Sequence, residues 1–256
     1  MTPYRRLRTA LSAASVAALL GALPAVALDL EDMTEAERQA FRAEVRAYLL
    51  DNPEVLMEAI GVLEAREQAA QAEAESAQLA AVGPQLYDDG FSWVGGNPDG
   101  DITLVEFMDY RCGYCRRAFQ EVEGLVAADG NIRFILKELP ILGEQSTWAS
   151  QFAIAVKQLH GDEDYKAAHD ALMVIDSDIT LEALARLAEE LGLEADAVLA
   201  RMDSAEVAAE IEATGALARA LGINGTPTFV LGEQLVRGYV PAEAMSDVIA
   251  RMRADG

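Results

Sequence analysis

The chain has 256 residues, with 43 Asp and Glu against 20 Lys and Arg, and a formal net charge of −23. That balance excludes nucleic acid as a partner, because phosphate binding needs clustered Lys and Arg. A chain this long buries enough apolar surface to hold itself together, so its two cysteines are not needed as a staple for a small fold.

The opening text, "MTPYRRLRTALSAASVAALLGALPAVA", places Arg5, Arg6 and Arg8 before an apolar run and ends on small residues. This is the plan of a cleaved secretory leader, with cleavage expected after Ala27. The apolar run is shorter than the roughly 20 residues a bilayer span needs. Loss of residues 1–27 removes three arginines and no acid, which takes the formal charge from −23 to −26. Export places the mature chain in an oxidising compartment, the periplasm, where disulfides persist.

From Thr34 the text turns helical. Thr34 and Glu37 have capping-box spacing, and Phe41, Val45, Tyr48 and Leu49 recur at helical intervals, which predicts a helix from Glu35 to Leu50. Asp51 or Asn52 is expected to cap a second helix, with Pro53 in its first turn, running to Ala81 before Gly83-Pro84. Its first half carries an apolar stripe of Val55, Leu56, Ala59, Ile60 and Leu63; from Glu64 to Gln78 it is polar on all faces and reads as a solvated rod. As a continuous helix, residues 53–81 would reach about 40 Å. So short a segment cannot bury that stripe on itself, which points to self-association through residues 34–63, the alternative being that these helices fold back on the main domain.

After Gly83 the character changes. "FSWVGG" and "ITLVEFM" read as strands joined by the turn "NPDG", and the second leads into Cys112 and Cys115 and a helix to Ala127. "NIRFILKEL" follows as a buried strand, giving a β-α-β unit with a parallel pair. A block of helices spans residues 144–221. "TPTFVLG", "EQLVRGYV" and "PAEAMSDVIARMRA" then give two strands and a last helix. The expected division is 1–27 leader, 28–83 helical segment and 84–256 catalytic domain.

The cysteine pair has three readings. A zinc site needs four ligands, and His160 and His169 stand nine apart rather than at the usual spacing, so both read as surface or packing residues. A staple over two residues closes too small a loop to stabilise much. Redox chemistry fits the placement. A cysteine at a helix N-terminus meets first-turn N–H groups and the positive end of the dipole, which favour the thiolate. Cys112 would attack a substrate disulfide, and Cys115, one turn on, would release the mixed disulfide. Arg111, Arg116 and Arg117 flank the pair.

"LVEFMDYRCGYC", "ILKELPILG" and "GINGTPTFVLG", in that order with helices between the second and third, resemble the DsbA-like branch of the thioredoxin superfamily. The resemblance covers Asp88 to Gly256. It implies an α/β thioredoxin-like fold with a helical insertion, and a cis bond at Thr226-Pro227 beside the cysteines. It implies roles for Glu106, six residues before Cys112, as an acid beneath the pair, and for Lys137 as its partner on the next strand. It implies no cofactor beyond the redox-active Cys112-Cys115 disulfide.

Gly113-Tyr114 and Thr226 resemble periplasmic disulfide isomerases more than the strong oxidant. "YLLDNPEVLMEAIGVLE" resembles the oligomerisation segment of ScsC-type proteins, DsbA-like catalysts associated with copper tolerance. Together they imply a disulfide isomerase or reductase, trimeric or otherwise homo-oligomeric, acting on misfolded or oxidised periplasmic proteins and served by a membrane-embedded redox partner. A periplasmic disulfide oxidase is the second reading, and a holdase or copper-binding module is the alternative of another class.

Overall fold

Residues 32–255 are described by a computed structural model; the expected leader, residues 1–27, lies outside them. The chain divides into two units at Val62 and Leu63. Among the described helices, none is long and apolar enough to cross a membrane.

In the first unit, helix α1 (Glu35–Asp51) starts at the expected capping box. The Thr34 hydroxyl accepts from the Glu37 N–H, and the Glu37 carboxylate accepts from the Thr34 N–H at 2.8 Å. Asn52 does not cap the second helix. It ends α1, where its side-chain amide and its backbone N–H both donate to the Tyr48 carbonyl, and helix α2 (Glu54–Ala81) begins after Pro53. No residue of α1 is buried. Phe41, Val45, Tyr48, Leu56 and Ile60 stand exposed, and Phe41, Val45, Leu49 and Leu56 line one apolar groove.

The second unit is built on five strands, β1 (Trp93–Gly96), β2 (Ile102–Met108), β3 (Ile132–Glu138), β4 (Thr228–Leu231) and β5 (Gln234–Arg237). They lie in the order β1-β3-β2-β4-β5, with β2 and β3 parallel and the other pairs antiparallel. The "NPDG" turn does not form a hairpin, because β1 crosses to the far side of β3. Gly96 makes that exit possible: its φ is 67°, and a Cβ there would collide with the Ile132 carbonyl oxygen. Helix α4 (Gly113–Asp129) connects β2 to β3 and stops at Gly130, whose left-handed conformation lets its N–H bond the Val126 carbonyl. The expected helical block comprises α5 (Glu144–His160), α6 (Asp162–Val174), α7 (Leu181–Glu190), α8 (Ala195–Met202) and α9 (Ala205–Ala220). Helix α10 (Ala242–Asp255) closes the chain, and a short α3 (Gly83–Tyr87), absent from the sequence reading, precedes β1.

Strand alternation sorts the core into two layers. Leu104, Met108, Phe134, Leu136, Phe229 and Leu231 face the α4 side, with Cys115, Val122 and Ile249. Val105, Phe107, Ile135 and Val230 face the other side, with Leu79, Leu86, Leu217 and Ile223. The polar stretch of α2 is exposed through Ala74, as a solvated rod should be, but its end is docked. Glu75 pairs with Arg237 at 2.9 Å, Ser76 donates to Glu233, and Leu79 is 2% exposed. Leu79→Ala therefore destabilises the fold by about 2–4 kcal/mol, read as a lower urea midpoint, whereas Gln78→Ala on the exposed side leaves it within about 0.5 kcal/mol.

Candidate active site

Cys112 is the N-cap of α4: its Sγ accepts from the Cys115 N–H at 3.4 Å, so the first turn of the helix points its donors at the sulfur. The Thr226-Pro227 bond is cis, and the Thr226 carbonyl oxygen lies 3.1 Å from Cys112 Sγ. Both thiols are free. Cys115 is fully buried and Tyr114 is 62% exposed. The expected neighbours, Cys112, Cys115, Thr226 and Pro227, thus meet at one end of the sheet.

Their electrostatics differ. The Cys112 thiol is pulled down to about 5, first by its hydrogen bond with Cys115 and, against the cost of burial, by the Thr226 side chain and the N–H groups of Cys115 and Tyr114. Cys115 is pushed far up by the same hydrogen bond, by burial and by Glu106. At neutral pH one sulfur is an anion and the other holds its proton, which is the division of labour that attack and release require.

Glu106 lies where expected, on β2 beneath the pair, and is buried. Burial first, then Glu123 and Cys112, push its carboxyl up to about 8. Lys137 does not partner it. The parallel register sets Glu106 opposite Leu136, so Lys137, one residue on, points through the other face of the sheet. There its ammonium donates to the Gln85 carbonyl at 2.9 Å and to the Asp89 carboxylate, and sits 5.7 Å from the Phe91 ring. Burial lowers the Lys137 pKa. Burial alone would raise that of Asp89, but bonds from Lys137 and Ser92 hold it below the usual range. The pair ties the segment before β1 to the sheet.

Two buried acids that sequence reasoning missed hold the active turn. The Asp109 carboxylate accepts from the Arg111 N–H at 2.7 Å, the Ser146 hydroxyl at 2.8 Å, and the N–H groups of Ile141 at 2.8 Å and Leu142 at 3.1 Å. Glu138 accepts from the hydroxyls of Tyr110 at 2.8 Å, Tyr165 at 2.7 Å and Ser150 at 2.7 Å. Burial moves Glu138 up to about 7 against those three bonds. His169, 3.1 Å from the Tyr110 hydroxyl, is pushed down to about 3 by burial and Lys166, so it packs as a neutral ring. His160 is exposed. The signal for Asp109 was available: an Asp two residues before a turn N–H is the pattern of an Asx-turn.

Residues 103–250 match the DSBA-like thioredoxin domain. The chain belongs to that family. Residues 37–70 also match the copper resistance protein ScsC N-terminal domain. A thioredoxin-like oxidoreductase from Silicibacter pomeroyi is 43% identical, with a TM-score of 0.63 over 67% of this chain and 97% of that one. Proteus mirabilis ScsC in a transitional conformation is 27% identical, with a TM-score of 0.63 over 88% of this chain and 100% of that one. The Na(+)/H(+) antiporter NhaA 3 of Salinispora tropica is 27% identical over 169 residues, 64% of this chain and 26% of that protein. The chain thus spans about a quarter of the length of the curated relatives it matches. This DSBA-like domain has a thiol-disulfide oxidoreductase fold, with its cysteine pair at the head of α4.

Two measurements check the site. Alkylation of Cys112 by iodoacetamide holds constant at and above neutral pH and falls about tenfold per pH unit below 5, because only the thiolate attacks. Asp89→Ala strands the buried Lys137 ammonium and costs about 3–5 kcal/mol of stability, whereas Lys137→Met costs less, as compared by urea unfolding.

Proposed function

We propose that the chain is a periplasmic protein disulfide isomerase or reductase, exported by a leader ending at Ala27 and assembled as a homotrimer through residues 34–63. The observation that carries the reading is the apolar face of α1 and the start of α2. Phe41, Val45, Leu56 and Ile60 are exposed in the single chain, inside the stretch that matches the ScsC N-terminal domain. Apolar surface costs roughly 25 cal/mol per Å² when left in water, and a symmetric assembly removes it. Several Cys112 sites in one assembly raise the effective concentration at a single misfolded substrate. Rearranging wrong pairings uses that advantage; a single transfer of a disulfide does not.

The Cys112 thiolate attacks a substrate disulfide, forming a mixed disulfide and freeing a substrate thiolate. In rearrangement that thiolate attacks another substrate disulfide, and the thiolate this frees attacks the mixed disulfide and expels Cys112 as a thiolate; in reduction Cys115 attacks Cys112 Sγ, closes the Cys112-Cys115 disulfide and releases the substrate as a dithiol. Thr226 presents its backbone beside Cys112, where an extended substrate segment can pair with it. The reductase outcome leaves Cys112-Cys115 oxidised, and a membrane-embedded reductase returns it to the dithiol. No cofactor is required beyond the pair itself.

The low Cys112 titration favours a second reading, a disulfide oxidase, because whatever stabilises the thiolate stabilises the reduced form and makes the disulfide more oxidising. The uncharged Gly113-Tyr114 pair weighs the other way. Recovery of activity from a scrambled multi-disulfide substrate in a mildly reducing glutathione buffer separates the two. The mature chain raises recovery well above glutathione alone, and light scattering gives three times the chain mass. Val45→Glu with Ile60→Glu gives monomers that still reduce a small disulfide but lose most of the recovery. Absence of recovery from folded wild-type protein with titratable thiols removes the isomerase and leaves an oxidase or a dedicated reductase.

A further inference from the structure

Among the described residues, two acidic oxygens lie buried without a donor on the α4 side of the sheet, Glu106 Oε1 on β2 and Glu123 Oε1 on α4. Glu106 shares its strand face with Leu104 and Met108, and Glu123 follows Val122 on α4; Leu104, Met108 and Val122 belong to one core layer. The other Glu123 oxygen lies 3.3 Å from Lys166 Nζ on α6, and about a third of the Glu123 side chain, 32%, is open to solvent. Glu123 and Lys166 line one cleft together with Trp93, Asn97 and Val126. Glu123 therefore meets a cation and solvent with one oxygen and turns the other into the core.

We propose that Glu123, set against Lys166 at this cleft, is a positioning residue that governs when the buried Glu106 carboxyl takes the proton of Cys115. The inference rests on reading Cys112 and Cys115 as an exchange pair. Glu123 is, after burial, the largest cause that raises Glu106, and Glu106 in turn acts on Cys115. In the mixed disulfide Cys112 carries no charge, which removes one of the like charges facing Glu106 and readies its carboxylate to accept. The Cys115 proton passes to Glu106, and the Cys115 thiolate attacks Cys112 Sγ. The Cys112-Cys115 bond forms, the bond from Cys112 to the substrate sulfur breaks, and the substrate leaves as a thiolate with the electron pair. The groups facing Glu106 are Cys112 and Cys115 at the active turn and Glu123 on α4, while β3 and β4 place Leu136 and Phe229 opposite it. Facing Glu123 are Lys166, shared with Asp170 at 2.7 Å, and the uncharged Trp93 of β1.

The carbon-13 carboxyl resonance of Glu106, titrated in the reduced mature chain, reads this coupling without reference to activity. Glu123→Gln removes a like charge and moves the Glu106 midpoint down by about one pH unit; Lys166→Met removes the counter-charge and moves it up. The pH midpoint of Cys115-dependent release, followed by single-turnover oxidation with glutathione disulfide, shifts in the same two directions. In a Glu106→Gln background, Glu123→Gln leaves that midpoint where it is. A merely structural role for Glu123 cannot produce shifts of opposite sign. A Glu106 midpoint that stays put in both single variants overturns the proposal while exchange itself stands. A wild-type chain with no exchange at all overturns the functional reading, and the role of Glu123 with it.

Discussion

Asp109 directly follows β2 with its carboxylate wholly buried, and donors from its own turn, from the loop after β3 and from the start of α5 converge on it. Burying a carboxylate is costly unless its lone pairs are met, so these segments cannot shift independently of one another without loss. The next residue, Tyr110, is held through its hydroxyl by Glu138, which also gathers Tyr165 of α6 and Ser150 of α5. The turn delivering Cys112 to the head of α4 is thus fixed from the sheet and from the helical insertion. The insertion is a buttress for the redox turn as well as a cover for the sheet.

The same economy governs charge below the pair. Alternation along paired strands puts Glu106 under Cys115 and sends Lys137 to the opposite layer, where Asp89 receives it. An acid left without a nearby cation in a dry site holds its proton more tightly, and the neighbouring thiol does likewise. Cys112 escapes this because its hydrogen bond with Cys115 first, then Thr226 and the N–H groups of Cys115 and Tyr114, favour its anion against the cost of burial. One short turn therefore contains a thiol that ionises readily and another that ionises only on demand.

Much of this could be read from the chain. The β-rich runs over residues 102–108 and 132–138, with a helix between them, pointed to the β-α-β order, and the capping box at Thr34 and Glu37 placed the first helix to within a residue. Cys112, Cys115, Thr226 and Pro227 came together as the motifs implied. The Lys137 assignment failed because pairing register is a tertiary fact: a one-residue difference flips a side chain to the other face, and sequence spacing does not report it. The docked end of α2 was hidden for a related reason, since Glu75 and Ser76 look like solvated residues until Arg237 and Glu233 are placed beside them. How many donors Asp109 and Glu138 each gather is a fact of the folded chain, which brings four to the one and three to the other from segments far apart in sequence.

The central claim, that Cys112 attacks and Cys115 releases, is tested most directly by mass spectrometry of the Cys115→Ser chain incubated with a disulfide-bonded protein substrate. The account predicts a stable adduct joined through Cys112, and none when Cys112 is also replaced by Ser. Failure of Cys115→Ser to trap an adduct, with the protein folded and Cys112 titrating as a thiolate, would contradict it.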